Sequence, residues 1–180
     1  MHSYLRLSLL SFLILSSSMM QAQEPEGNVP EKYRESVNSQ DQILETLYAV
    51  ISGEKGEARD WDHFRYLFHS NAKLIPTGKG KSGAVGAQFW TVEDYIAKAR
   101  DYLVEKGFFE KEIHRISDSF GGITQVFSTY ESYHSESDTT PFARGINSIQ
   151  LLYDGERWWI INIYWTAETE GNPIPKKYLP

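Results

Sequence analysis

The sequence predicts an α+β domain in which helices come first and antiparallel strands follow. Two capped helical segments, starting at Ser39 and Thr91, precede a stretch beyond Gly107 in which every periodic run reads as strand. The strongest of these is Phe142 to Ala167, FARGINSIQLLYDGERWWIINIYWTA, a long hairpin about Asp154-Gly155. Asp-Gly tolerates the positive φ angles of a tight type I′ turn.

The chain has 180 residues, 41% of them hydrophobic, enough for one domain and a tail. It opens on MHSYLRLSLLSFLILSSSMMQAQ, with one early cation at Arg6, an apolar run from Leu7 to Leu15 and small residues leading to Ala22. That order is a secretory signal peptide over 1–22, too short in its apolar part to span a bilayer. The expected location is periplasmic or secreted. Cleavage would leave 17 Lys+Arg against 24 Asp+Glu, a net charge of −7, with no cysteine. Such a chain has no electrostatic reason to bind nucleic acid or to insert in a membrane once cleaved, and it needs its core alone for stability.

Residues 23–38 hold two prolines, a glycine and several charges, and read as a flexible leader. The domain then runs over 39–180. Ser39 with Gln42 is a capping box, and Ile43, Leu47, Val50 and Ile51 recur on one helical face as far as Gly53. Trp61, Phe64, Leu67 and Phe68 mark a second, shorter helix with His69 at its cationic-preferring end. Asn71 to Pro76 is a strand, and Ala84 to Trp90 its return. Between them Gly78 to Gly83 matches G-x-G-x-x-G in form, but no helix follows, so it reads as a hairpin loop. Thr91 and Asp94 cap the third helix, Val92 to Lys106, with Tyr95, Ile96, Ala99, Tyr102 and Leu103 as its buried stripe and Gly107 as its stop. Phe108 to Ser117 and Ile123 to His134 are strands about Gly121-Gly122. Residues 172–180, NPIPKKYLP, form a proline-restricted tail able to lie over a sheet.

A two-residue turn at Asp154-Gly155 sets Asn147 opposite Asn162 and Arg144 opposite Trp165. One hairpin face then carries Asn147, Ile149, Asn162 and Tyr164. The other carries Ile146, Trp159, Ile161, Ile163 and Trp165, an apolar stripe that predicts a homodimer through the outer sheet face. The five histidines form no H-x-x-x-H pair or carboxylate cluster, so neither metal nor other cofactor is expected.

The element order, with LFHSNAKLIPTG after the second helix and DGERWWIINIYW at the end, resembles the nuclear-transport-factor-2-like superfamily, which includes ketosteroid isomerase, polyketide cyclases and scytalone dehydratase. The resemblance spans Ser39 to about Glu168 and implies a cone: three N-terminal helices packed on a curved, mainly antiparallel sheet. It implies a ligand site inside, at Tyr48, Tyr130, Asn147, Asn162 and Tyr164, with Ser128 and Ile149 beside them. The isomerase base is missing, since the stretch from Leu67 leads to Ile75-Pro76, and its acid donor falls on Ile149. Catalytic candidates reduce to Tyr48, as donor to a carbonyl, and His69, as a base at the cavity mouth. The composition of the inner wall suits a largely apolar, neutral ligand, a small apolar or aromatic molecule. Three functions stay open: a binding protein, a cofactor-free lyase, cyclase or isomerase, and a dimeric protein-interaction module.

Overall fold

A computed structural model describes residues 31–80 and 82–180; the expected signal peptide over 1–22 and residues 23–30 of the expected leader lie outside the described residues. Three α-helices, α1 (Gln40–Ile51), α2 (Trp61–Leu67) and α3 (Val92–Lys106), pack on a six-stranded sheet. The strands are β1 (Phe68–Lys79), β2 (Val85–Ala87), β3 (Phe109–Phe120), β4 (Ile123–Tyr133), β5 (Ala143–Tyr153) and β6 (Trp158–Ala167), in the order β2-β1-β6-β5-β4-β3. All pairs are antiparallel except β1 with β6. The core lies between the helices and the inner sheet face: Ile43, Leu44 and Leu47 of α1 and Phe64 and Leu67 of α2 meet Val126, Ile149, Leu151 and Ile160.

The helix ends form as their caps dictate. Ser39 Oγ accepts from the Gln42 N–H, and Thr91 with Asp94 closes a full capping box. α3 stops at Gly107, whose φ of 72° and close approach to the His134 carbonyl leave no room for a Cβ. Of its expected stripe, Ile96 and Leu103 are buried, whereas Tyr102 is 46% exposed. His69 does not close a helix: α2 ends at Leu67, and His69 stands on β1 with its ring edge-on to Trp159.

The leader is shorter than its composition implies. From Glu31 to Val37 the chain is a 3-10 helix in which Tyr33 and Val37 are buried. Tyr33 stacks on His63 at 4.2 Å, and its hydroxyl donates to the Asp60 carboxylate at 2.8 Å. Two anchors in seven residues outweigh a loop-like composition, because each buried side chain offsets the ordering of several backbone units.

The final hairpin departs from the expected register in two steps. Asp154 does not adopt positive φ; its carboxylate accepts instead from the Glu156 and Arg157 N–H groups, both at 2.8 Å, and stabilises a four-residue loop. Tyr153 therefore faces Trp158, a shift of two that leaves the faces unchanged. A bulge between the Leu151–Ile160 and Gln150–Asn162 pairs then adds one residue, which turns the rest of β6 over. Ile163 and Trp165 point inward, while Asn162 and Tyr164 point outward, with Tyr164 49% exposed. Asn147 lies opposite Trp165, not Asn162. Arg144 binds Glu168 at 2.7 Å, with Glu131 at 3.8 Å, and makes no cation–π contact with Trp165. The bulge thus removes two members of the outer stripe on which the dimer expectation rested. The tail covers part of that face: Tyr178 packs on Phe127, and its carbonyl accepts from Thr129 Oγ1 at 2.6 Å.

Replacing Tyr33 with alanine should cost about 3 kcal/mol in urea unfolding, as for a buried aromatic, and Tyr33→Phe only about 1 kcal/mol. A Tyr33→Ala protein as stable as the parent would mean that residues 31–37 do not dock.

Candidate functional site: a buried glutamate among tyrosines

The inner face of β3, β4 and β5 carries an unusual run of polar residues. β3 contributes Glu110, Glu112 and Arg115; β4 contributes Ser132, Tyr130 and Ser128; β5 contributes Asn147. Glu110 pairs with Ser132 and Glu112 with Tyr130, but a bulge after Glu112 then brings Arg115 opposite Ser128. Without that extra residue Glu112 and Arg115, three apart, would point to opposite faces. With it they form an ion pair on the inside, and Arg115 reaches on to Asp41 of α1 at 2.6 Å.

Tyr48 enters from α1, and its hydroxyl lies 2.6 Å from Ser128 Oγ. Which of the two donates follows from the ion pair. Ser128 has one proton, and it is given to the Glu112 carboxylate, which also accepts from Arg115. Tyr48 must therefore donate to Ser128 and can only accept from Asn147 Nδ2, 3.1 Å away. The other Asn147 N–H goes to Glu110 Oε1 at 3.2 Å, and Ser132 Oγ donates to Glu110 Oε2 at 3.2 Å. The Tyr48 proton is committed within the protein. Tyr48 is thus a positioning residue for Asn147 and is not free to donate to a ligand carbonyl.

The start of β3 is held where Glu110 can do this. Gly53 and Phe108 exchange backbone hydrogen bonds of 2.8 and 3.0 Å, and the Glu110 N–H donates to Ser52 Oγ at 3.0 Å. Gly53 has no Cβ because Arg59 fills that space; the Arg59 guanidinium gathers the Ile51, Gly53, Glu57 and Leu103 carbonyls and closes the C-terminal end of α1. On the far side, Gly145 lies opposite Tyr130, whose hydroxyl would be 2.5 Å from any Cβ there. The absent side chain is the room that the Tyr130 ring occupies.

Burial pushes the Glu110 carboxyl up to about 7, although the Asn147 and Ser132 hydrogen bonds oppose the rise. Tyr48, Tyr95 and Tyr130 are all raised, chiefly by burial and then by the charge of Glu110, which places three phenols around one carboxyl. Glu110 and Tyr95 are deep enough for burial to dominate their proton affinity, yet neither side chain is sealed. Among the described residues, the Tyr95 and Tyr130 hydroxyls and Asn147 Oδ1 have no hydrogen-bond partner, and the only polar side-chain atom that is both sealed and unpartnered is Arg157 Nη1. Polar atoms that are unpartnered and still accessible border space that water or a ligand can reach. Trp165, opposite Asn147 and edge-on to Tyr95 at 6.5 Å, forms its aromatic wall.

Of the expected site residues, Tyr48, Tyr130 and Asn147 come together here. Asn162 and Tyr164 face away on the outer surface, and His69 is on β1 against Trp159. Glu110 was not legible as a site residue, and Tyr95 and Trp165 were read as core and outer stripe. Two grooves, of about 560 and 440 Å³, flank Arg59 on the helical side. They are open to solvent, and the cation they share already binds four carbonyls, so the chemistry resides with Glu110. Among the described residues no three histidines or carboxylates converge as a metal site, and no helix is long and apolar enough to cross a membrane.

Solved structures share the fold that carries this site. The chain superimposes on a nuclear-transport-factor-2-like protein from Pseudomonas putida with a TM-score of 0.54 at 10% identity, covering 78% of this chain and 93% of that one. The fold is that of the nuclear-transport-factor-2-like proteins. A protein with a cystatin-like fold from Nostoc punctiforme superimposes with a TM-score of 0.53 at 10% identity, covering 74% of this chain and 96% of that one. A calcium/calmodulin-dependent protein kinase II association domain from Xanthomonas campestris, so named provisionally, matches at 0.52 and 16% identity, covering 72% and 86%. No family model and no curated protein matches the sequence.

A carboxyl whose affinity for protons is higher folded than unfolded binds more protons in the native state, so it stabilises at low pH and loses that contribution as pH rises. Glu110 should therefore make the protein less stable between about pH 4.5 and 7, by on the order of 3 kcal/mol, with a plateau above. Glu110→Gln should remove this slope and melt higher than the parent at about pH 8. Identical pH profiles for the two proteins would contradict the burial of Glu110.

Proposed function

We propose that this chain is an exported small-molecule-binding protein whose pocket is the space inside the cone beside Glu110, taking a largely apolar ligand. The observation that carries this reading is a set of accessible polar atoms without protein partners on the inner face, the Tyr95 and Tyr130 hydroxyls and Asn147 Oδ1, near the Glu110 carboxyl. Polar groups left unmatched in an interior cost about 1 to 3 kcal/mol each unless water or a ligand meets them. A few convergent polar groups in an aromatic wall are the composition of a small-molecule site. The order of cation, apolar run and small residues over 1–22 supports export.

A second reading, a cofactor-free lyase, cyclase or isomerase in the same pocket, is favoured by one observation. A carboxyl pushed up to about 7 is poised to accept and return a proton at neutral pH. In that reading Glu110 is the acid–base group, Asn147 fixes its oxygen, and the Tyr95 and Tyr130 hydroxyls face the developing charge on the substrate.

A screen of aromatic and alicyclic fragments by nuclear magnetic resonance should give ligands that shift the Tyr95, Tyr130 and Trp165 signals. Asn147→Leu should weaken them by about 5- to 100-fold, the equivalent of about 1 to 3 kcal/mol, and leave the protein folded. Hits confined to the grooves around Arg59, or an Asn147→Leu protein that binds as well as the parent, would remove the cone from the function.

A further inference from the structure

The groups that border the internal space are not balanced between donors and acceptors. Asn147 has spent both amide protons, on Tyr48 and Glu110, so only its Oδ1, an acceptor, faces the space. Glu110 accepts one hydrogen bond on each oxygen, which leaves half of its lone-pair positions open. The Tyr95 and Tyr130 hydroxyls can act either way. The directed chain from Arg115 through Glu112, Ser128 and Tyr48 therefore leaves a cavity that accepts more than it donates.

No cation answers the buried carboxyl. The groups facing Glu110 are Tyr48 from α1, Tyr95 from α3, Tyr130 and Ser132 from β4 and Asn147 from β5, and only burial and two neutral hydrogen bonds set its proton affinity. Arg115, the cation on the same sheet face, is engaged by Glu112 and Asp41. Aromatic rings are at hand on this inner face, with Tyr95 edge-on to Trp165 at 6.5 Å and Tyr130 beside Gly145, and the faces of such rings attract cations. A neutral ketone could use only the tyrosine hydroxyls and would leave Asn147 Oδ1 and the carboxylate unmatched.

We propose that the ligand of this pocket is an amphipathic amine whose protonated nitrogen seats between the Glu110 carboxylate and Asn147 Oδ1, with its apolar part against Tyr95, Tyr130 and Trp165. This rests on the cone space being the binding pocket. An ammonium supplies two or three N–H donors and the missing positive charge together, which a hydroxyl or carbonyl does not. The formal net charge of −6 draws a cationic ligand toward the protein. Binding would hold Glu110 ionised and expel the proton it carries near neutrality, so affinity should fall as pH drops below about 7.

The test is a calorimetric and magnetic-resonance titration of the full chain with matched probes: benzylamine against benzyl alcohol, and 2-phenylethylamine against 2-phenylethanol. At about pH 8, where Glu110 is ionised and these amines are still protonated, each amine should bind at least about tenfold more tightly than its alcohol. Each should shift the Tyr95, Tyr130 and Trp165 signals. Near pH 7, comparison of buffers of different ionisation heat should reveal the release of about half a proton per amine bound. In Glu110→Gln the amine and alcohol affinities should converge and the proton release vanish. The proton count on the unmutated protein serves alone if that variant does not fold. Alcohols that bind the cone as tightly as the amines would overturn the amine assignment and leave the pocket standing. Failure of every probe to shift the three aromatic residues would overturn the pocket and the amine assignment together.

Discussion

The ion pair between Arg115 and Glu112 sets the direction of the hydrogen-bond chain that runs through Ser128, Tyr48 and Asn147. Glu112 is the carboxylate of the ion pair and accepts, and Ser128 spends its single proton on it. Tyr48 is then forced to donate to Ser128 and to accept from Asn147, and Asn147 is forced to turn its amide protons to Tyr48 and Glu110. Three side chains, Ser128, Tyr48 and Asn147, are oriented by one pair that lies near the surface and is tied to α1 through Asp41. Reversal of any one link would leave an interior group unmatched, at a cost of about 1 to 3 kcal/mol. The polarity of the pocket is in this sense decided some distance from the pocket itself.

Much of the fold was legible because it rests on local signals. The caps at Ser39 and Thr91, the stop at Gly107 and the strand runs after it each follow from chemistry within a few residues, and α3 has the bounds its sequence predicts. The site was legible only in part, and both failures have one physical cause. A strand pattern has period two, so one inserted residue exchanges the faces of everything beyond it. In β6 the bulge at Ile161 sends Asn162 and Tyr164 out and brings Ile163 and Trp165 in. In β3, straight pairing from the Gly121-Gly122 turn would set Ile113 opposite Tyr130 and aim Glu110 and Glu112 at solvent. The bulge sets Glu112 there instead and turns both glutamates inward. The stretch FEKEIHRIS reads as a surface strand, and nothing in its composition marks the inserted residue. One signal was available: Glu110 and Glu112 alternate, so a single flip moves both.

The arrangement exchanges stability for chemistry. A carboxyl enclosed by three phenols, with no cation beside it, is costly to ionise, and the pH dependence of folding carries that cost. The surrounding scaffold is built to hold it there. Arg59 collects the carbonyls at the end of α1, Gly53 and Phe108 pin the start of β3, and Gly145 makes way for Tyr130. The outer face, in contrast, is partly covered by the chain's own tail through Tyr178 and Thr129. The specialised chemistry is concentrated on the inner face at the junction of β3, β4 and β5 with α1 and α3.

The titration of the Glu110 side-chain carboxyl carbon, followed by carbon-13 magnetic resonance in the unliganded protein, tests the central claim most directly. A midpoint near pH 7, moved markedly lower when Asn147 is kept and an ammonium probe is bound, is the expected result. A midpoint at the ordinary glutamate value of about 4.3 would contradict it, because a carboxyl that titrates so is solvated and is not the buried group on which the pocket depends.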